Sequence, residues 1–303
     1  MQTSRRSILK GSILASLAGT MGATAMSASA AEKQAALPKK EYDLVICGLG
    51  IGGIVTAIRA AQDGLKPVIL EKMSSASGNT IYSAGFMLGV NTKMQQEKKL
   101  ETGDTVDKFY EDMMKVSQGR GDPKLTRLVA EKADETLNWL HDYVGVKYAV
   151  GMKLVWPMLQ RAHLTIGEKK PGGTQLMLYL LAKAKELNVP IVYNAKAVEL
   201  LDNPQNGKVI GVKVKSKEGF EEYFGKYGVV MATGGFSANK MMLTMMAGVP
   251  AANMPVRGSH SVTGESILLT GPYFPKVVNV DQYHCGPVSY THLRAHETLM
   301  NLV

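Results

Sequence analysis

Cysteine is nearly absent from this 303-residue chain: Cys47 and Cys285 are the only two. That scarcity excludes a disulfide framework, a four-cysteine iron–sulfur site and a C-x-x-C-H haem attachment. No metal-ligand spacing accompanies either thiol, so no metal is expected. A long, strongly apolar run is also missing, which excludes a stable membrane span. Dense basic runs are missing too, although the formal charge is +9. Arg5, Arg6 and Lys10 concentrate +3 of that charge in the first thirty residues, and Arg294 and Glu297 cancel in the last fifteen. The remaining excess is spread thinly, with Lys39-Lys40, Lys98-Lys99 and Lys169-Lys170 as basic doublets. A nucleic-acid stripe would be denser, so no nucleic-acid partner is expected. What is present is 45% hydrophobic and 20% charged residues, with a mean hydropathy of −0.04. That balance suits one large or two ordinary folded domains and excludes a disordered chain.

Residues 1–30 read as an address. Arg5-Arg6 stands directly before an uncharged stretch, Gly11 to Ala30, rich in Gly, Ser, Thr and Ala, which closes on Ala28-Ser29-Ala30. Its hydrophobicity is weak for a spanning helix, and its small residues suit a signal peptidase. The segment resembles a twin-arginine export signal, with Ile8 where Phe is more usual. It implies an exported, periplasmic protein that folds around its cofactor before transport. Residues 31–41 read as a solvated linker.

A mononucleotide-binding unit opens the folded body. Tyr42 to Cys47 suits a buried parallel strand, and Gly48-Leu49-Gly50-Ile51-Gly52-Gly53 follows at once. Ile54, Val55, Ile58 and Ala61 then recur at helical spacing until Asp63-Gly64, and Pro67 to Leu70 forms a second strand ending at Glu71. Glu71 lies 23 positions after Gly48, near the roughly 20 expected for a ribose-binding acid. Gly48 permits the tight turn, Gly50 lets backbone approach a pyrophosphate, and Gly53 lets helix and strand pack closely. The helix N-terminus supplies amide donors and positive potential. Glycine pattern, flanking strand and helix, and spaced acid together mark an α/β, Rossmann-like fold with a parallel central sheet. Glu71 disfavours a 2′-phosphate and so NADP; NAD and FAD stay open on these residues alone.

Two further motifs follow: Ser77-Gly78-Asn79-Thr80-Ile81-Tyr82-Ser83-Ala84-Gly85, and Val229-Val230-Met231-Ala232-Thr233-Gly234-Gly235-Phe236. With them the chain resembles the flavoprotein family of soluble fumarate reductases, urocanate reductases and ketosteroid dehydrogenases, from about Tyr42 to about Val288. The resemblance implies FAD. It places Gly48, Gly50, Gly52 and Gly53 at the pyrophosphate and Glu71 at the adenosine ribose. It sets Asn79, Thr80, Ser83, Ala84 and Gly85 along the ribityl chain and ring, Ala197 near the adenine, and Thr233 and Gly234 where the chain returns to the cofactor. Phe86 departs from the second glycine common in the family, and Lys72 receives no role. Thr263-Gly264-Glu265-Ser266 resembles a loop written T-G-D-G, and His284 matches loosely a histidine that helps hold a substrate carboxylate.

The resemblance also implies boundaries: an incomplete FAD-binding domain over 42–270, with an added β segment marked by turns at Asn206-Gly207 and Glu218-Gly219, and the start of a capping domain over 271–288. On that resemblance, almost all of the capping domain is expected to be missing. Residues 104–188 read as helical scaffold with Trp139, Leu140 and Leu180 as core; His141 reads as structural, and His163 is either near a cleft or on the surface. From Ser289 the sequence resembles a translated adapter, so 289–303 is expected to be an artefactual tail and the chain as it stands inactive. The implied chemistry of the complete protein is hydride delivery from reduced flavin to the β-carbon of an unsaturated carboxylic acid, with an arginine beyond Val288 as proton donor. Without a haem motif, electrons would come from a separate cytochrome or quinol-linked protein. Desaturation of a 3-ketosteroid, and an inactive nucleotide-binding fragment, are the alternatives.

Overall fold

The computed structural model describes residues 37–100, 102–168 and 171–282. Its centre is a parallel sheet of four short strands. Leu44–Cys47 (β2) and Pro67–Leu70 (β3) are neighbours, flanked by Val229–Met231 (β11) beside β2 and Ile191–Val192 (β7) beside β3. Parallel strands in this position are covered on both faces and read as unbroken apolar runs. Ile46 and Ile69 point to one face, where they pack with Ile54, Ala57 and Ile58 of helix Ile51–Gln62 (α1). Val45, Cys47, Val68 and Leu70 point to the other, the alternation a strand imposes, against Leu200, Val212, Val214 and Tyr223 of a second sheet. Helix Gly173–Glu186, called α2 here, buries Leu176, Met177 and Leu180 in the first of these clusters.

The second sheet has the order β1-β10-β9-β8, from Lys39–Tyr42 (β1), Lys196–Asp202 (β8), Val209–Lys215 (β9) and Phe220–Gly225 (β10). Strand β1 pairs parallel with β10, and the other pairs are antiparallel. One sequence expectation changes here. The end of the supposed linker is a strand: Lys40 bonds Glu221 at 2.9 Å, and Tyr42 stacks on Tyr223. Strands β10 and β11 are separated by a turn in which Gly228 N donates to Gly225 O at 3.0 Å. That turn transfers the chain from the outer sheet to the central one. Turns at Asn206-Gly207 and Ser216–Gly219 form as expected, with Gly207 at φ +67° and Ser216 N donating to Gly219 O.

A third, antiparallel sheet, β4-β6-β5, joins Phe86–Leu88 (β4), Lys147–Ala149 (β5) and Ala162–Ile166 (β6). It interrupts the stretch read as wholly helical. Leu140 and Leu180 are buried core as expected. Trp139 is half-buried, stacks on Tyr143 and donates from Nε1 to Gln62 at 2.8 Å. Among the described residues no helix is long and apolar enough to cross a membrane.

Candidate functional site

A cavity of about 380 Å³ opens at the carboxyl ends of β2, β3 and β11, where open α/β sheets take their ligands. Cys47-Gly48, Leu70-Glu71 and Ala232-Thr233, the exits of those strands, all line it. The four glycines of the first turn divide into two kinds. At Gly48, with φ +109°, a Cβ would stand 2.4 Å from Ala232 O, and at Gly53 it would stand 2.0 Å from Gly48 O. The fold itself demands glycine at both. At Gly50 the nearest atom to a Cβ is Thr80 Oγ1 at 3.8 Å, and at Gly52 nothing lies within 4 Å. Both line the cavity, so their missing side chains leave room that no protein atom fills.

Helix α1 begins at this point. Its N-cap, Gly50, offers no side chain, and Ile51 N donates to Thr80 Oγ1 at 2.9 Å. An uncapped N-terminus keeps first-turn N–H groups without intrahelical acceptors and carries the positive end of the helix dipole. Glu71 is 8% exposed. Its Oε2 accepts from Leu49 N at 2.9 Å and its Oε1 from Met73 N at 2.8 Å. The carboxylate is thereby held against the glycine turn, each oxygen keeping lone-pair capacity for a hydroxyl donor.

Asn79, Thr80, Ala197, Thr233 and Gly234 line the same cavity. Asn79 Oδ1 accepts from Ser259 N at 2.8 Å, and Thr233 Oγ1 accepts from Ser266 N at 3.0 Å. These bonds tie the loop from residue 258 to 264, and the helix start that follows it, to both sides of the opening. Ser83, Ala84 and Gly85 do not line it. They pack on the start of α2: Gly173 N donates to Ser83 O at 3.0 Å, and a Cβ on Gly85 would stand 2.3 Å from Gly172 Cα. Phe86 opens β4 opposite Leu164 and is 37% exposed. His284 and Cys285 lie outside the described residues.

Two lining residues escaped assignment from sequence. Lys72 Nζ reaches Glu265 Oε1 at 2.5 Å and Thr263 Oγ1 at 3.0 Å. Thr263 Oγ1 also donates to Glu265 Oε1, at 2.6 Å. Glu265 is 7% exposed, and its other oxygen, Oε2, is buried without a partner. Burial opposes its ionisation, but the bonds from Lys72 and Thr263, with its own backbone amide and the charge of Lys72, prevail and hold the carboxyl below its usual range. The Thr263-Gly264-Glu265 motif was the available signal.

His163 is fully buried, not a surface group: Nδ1 donates to Arg161 O at 2.8 Å, and Nε2 meets Thr92 Oγ1 at 2.7 Å. His141 pairs with Asp142 on the surface at 2.8 Å. Among the described residues no group of three His, Cys, Asp or Glu is placed to hold a metal ion.

Strand exits, an uncapped helix N-terminus, an unfilled glycine lining and a buried acid define a dinucleotide-binding α/β protein. A family model described as an FAD binding domain matches residues 43–303, so the chain belongs to that FAD-binding family. The matched span includes 289–303, the stretch set apart by its sequence. The chain is 27% identical over 253 residues to a probable fumarate reductase of Shewanella frigidimarina, covering 84% of this chain and 42% of that protein. It is 32% identical over 210 residues to a urocanate reductase of Eggerthella lenta, covering 67% of this chain and 33% of that protein. An open-conformation flavocytochrome c3 fumarate reductase superposes with a TM-score of 0.71 at 25% identity, covering 89% of this chain and 43% of that one. A 3-ketosteroid Δ4-(5α)-dehydrogenase of Rhodococcus jostii gives the same TM-score and identity, covering 81% and 58%. The chain thus spans under half the length of these curated relatives. The cofactor is FAD, and the residues present fit it. Gly50 and Gly52 leave the cavity wall open beside the N-terminus of α1, where a pyrophosphate would meet backbone and positive potential, and Glu71 would be the acceptor for ribose hydroxyls.

Proposed function

We propose that this chain is the cofactor-holding part of an exported FAD-dependent oxidoreductase that reduces the activated carbon–carbon double bond of an unsaturated carboxylic acid, fumarate- or urocanate-like. Bound FAD supplies hydride chemistry at such a bond. The chain's own residues supply the seat: Gly48, Gly50, Gly52 and Gly53 with the α1 N-terminus for the pyrophosphate, and Glu71 for the ribose. Asn79, Thr80, Thr233 and Gly234 close the cavity, and Ser83, Ala84 and Gly85 form a small-residue loop along the more distant part of the cofactor. The observation that carries the reading is the cavity at the strand exits, lined by Gly50, Gly52 and the buried Glu71, in a chain whose relatives are named as reductases of fumarate and urocanate.

The FAD-binding domain spans 42–270 in this reading, with a capping domain starting over 271–288 and bringing His284 toward the substrate carboxylate. Electrons come from a separate cytochrome or quinol-linked donor. Residues 1–30, outside the described residues, direct export by the twin-arginine route. The test uses the protein encoded by the contiguous gene past Val288, reduced with viologen under anaerobic conditions and mixed with fumarate, urocanate or acrylate. Oxidation of the dye by one of them supports the reading. Bound flavin with no turnover of any unsaturated acid overturns it, and turnover of a steroid enone in their place favours the ketosteroid alternative, which an equal TM-score supports.

A further inference from the structure

The three-stranded sheet β4-β6-β5 turns one face to the core and the other outward. Met87, His163 and Tyr148 stand on the inner face, His163 fully buried and Tyr148 edge-on to it at 5.8 Å. Successive residues of a strand alternate between faces, so Phe86, Leu164 and Ala149, paired in register across the three strands, share the outer one. Directly opposed side chains of an antiparallel pair lie about 4.5–5.5 Å apart at Cβ, so Phe86 and Leu164 form one apolar plate. Leu88, at the far end of that face, is packed under Val90, Phe109 and Ala130. The end that carries Phe86 stays open: Phe86 and, beyond Leu164 on β6, Ile166 are both exposed. Lys147, opposite Ile166 on the far strand β5, brings the face its charge.

Phe86 also ends a run of small side chains. Ser83, Ala84 and Gly85 precede it, and Gly85 is pressed against Gly172 where α2 begins, while its carbonyl accepts from Thr165 N at 3.0 Å. The loop therefore enters β4 in a fixed direction, and that direction sends the Phe86 ring outward. Where Ser83, Ala84 and Gly85 run along the cofactor, as in the reading above, Phe86 is the first bulky group beyond them on the side away from the core.

We propose that Phe86 is a specificity-determining residue: its ring meets the substituent on the β-carbon of the substrate and directs the site to unsaturated acids that carry an aromatic ring there, the arylacrylate class. The inference rests on the reductase reading and narrows its substrate. Aromatic rings gain from offset or edge-to-face contact with one another beyond the area they bury. A second carboxylate in the same place would lose hydration against Phe86 and Leu164 with no partner in return.

The experiment uses the protein encoded by the contiguous gene past Val288, as wild type, Phe86→Ala, Phe86→Leu and Phe86→Tyr. Reduced viologen is the electron source, and kcat/KM is measured for cinnamate, urocanate, fumarate and acrylate. Flavin absorbance and a thermal melt of each protein report cofactor loading and folding. The wild type should favour cinnamate or urocanate over both small acids by about tenfold or more, the scale of one apolar contact in a specificity pocket. Phe86→Ala should cut that ratio by about tenfold, chiefly through a higher KM for the aryl acid. Phe86→Tyr keeps the ring and should keep the preference. If Phe86→Ala does not fold, Phe86→Leu against Phe86→Tyr decides, since leucine must lower the ratio and tyrosine must not. A wild type that favours fumarate or acrylate overturns the proposal. So does a Phe86→Ala protein that loses activity equally toward all four acids, the mark of a structural role alone. Flavin-loaded wild type that turns over no unsaturated acid removes the reductase reading and this inference with it, whereas fumarate turnover without aryl preference removes this inference alone.

Discussion

The Cα of Gly53 lies so close to the carbonyl of Gly48 that a Cβ there would stand 2.0 Å from the oxygen. No rotamer relieves such a clash, because both partners are backbone. The contact lets α1 rise directly from the end of β2, and so aims the helix N-terminus at the cavity.

Alanine substitutions along the turn should therefore separate folding from binding. Gly53→Ala is expected to lose at least 1–3 kcal/mol of stability (~, the scale of overpacking) or to prevent folding. Gly50→Ala has open space and an extended φ of −81°, so the apoprotein should be unchanged or up to about 1 kcal/mol more stable. Its FAD affinity should nevertheless fall by about tenfold or more, since the methyl enters the ligand's space. Urea unfolding of apoprotein and FAD titration measure the two effects independently. A Gly50→Ala protein that binds FAD normally would show that no ligand approaches that backbone.

Much of this seat was legible because its constraints are local. Gly48, Gly50 and Gly53 act within six residues, and strands covered on both faces, Leu44–Cys47 and Pro67–Leu70, announce themselves as unbroken apolar runs. What escaped was non-local. Lys39–Glu41 reads as a polar linker, and becomes part of a strand only because β10, some 180 residues later, offers an edge and Glu221 offers a charge for Lys40. Lys72 looks like any surface lysine until Glu265 arrives from 193 residues away.

Glu71→Gln tests the acid at the end of β3. The amide retains one acceptor oxygen but turns an NH2 group toward either Leu49 N or Met73 N, both of which are donors. One buried N–H then loses its acceptor, at a cost of about 1–3 kcal/mol. Apoprotein stability should fall by that amount and FAD affinity should fall with it. Chemical denaturation and equilibrium dialysis check both. Unchanged stability would mean the carboxylate does not anchor the turn.

Arg161 is 1% exposed and is held by Asp104 at 2.5 and 2.8 Å and by Asp112 at 2.7 Å. Asp104→Asn leaves a buried guanidinium undercompensated, and should destabilise the protein by about 3–5 kcal/mol. Arg161→Lys should fare little better, since an ammonium cannot reproduce the two-pronged contact with Asp104. Neither site touches the cavity, so FAD affinity of whatever protein folds should be unaltered. Thermal melts against FAD titration separate these outcomes.

His163 gives the pH dependence its sign. Arg161 O can only accept, so Nδ1 carries the proton, and Nε2 is left to accept from Thr92 Oγ1. That neutral ring is fully buried, edge-on to Tyr148 at 5.8 Å. Burial lowers its pKa, only partly offset by its backbone hydrogen bonds. An unfolded histidine titrates near about 6.5, so as pH falls through that value the unfolded chain takes up a proton that the folded protein refuses. Stability should therefore drop on acidification, by up to about 1.4 kcal/mol per pH unit from this group, until the lowered folded pKa is reached. His163→Asn should be less stable at neutral pH but lose less on going from about pH 7 to pH 5, because it has no proton to take up. Urea unfolding at several pH values gives both slopes. Parallel slopes in the two proteins would show that this imidazole takes up its proton equally well in the folded and unfolded states.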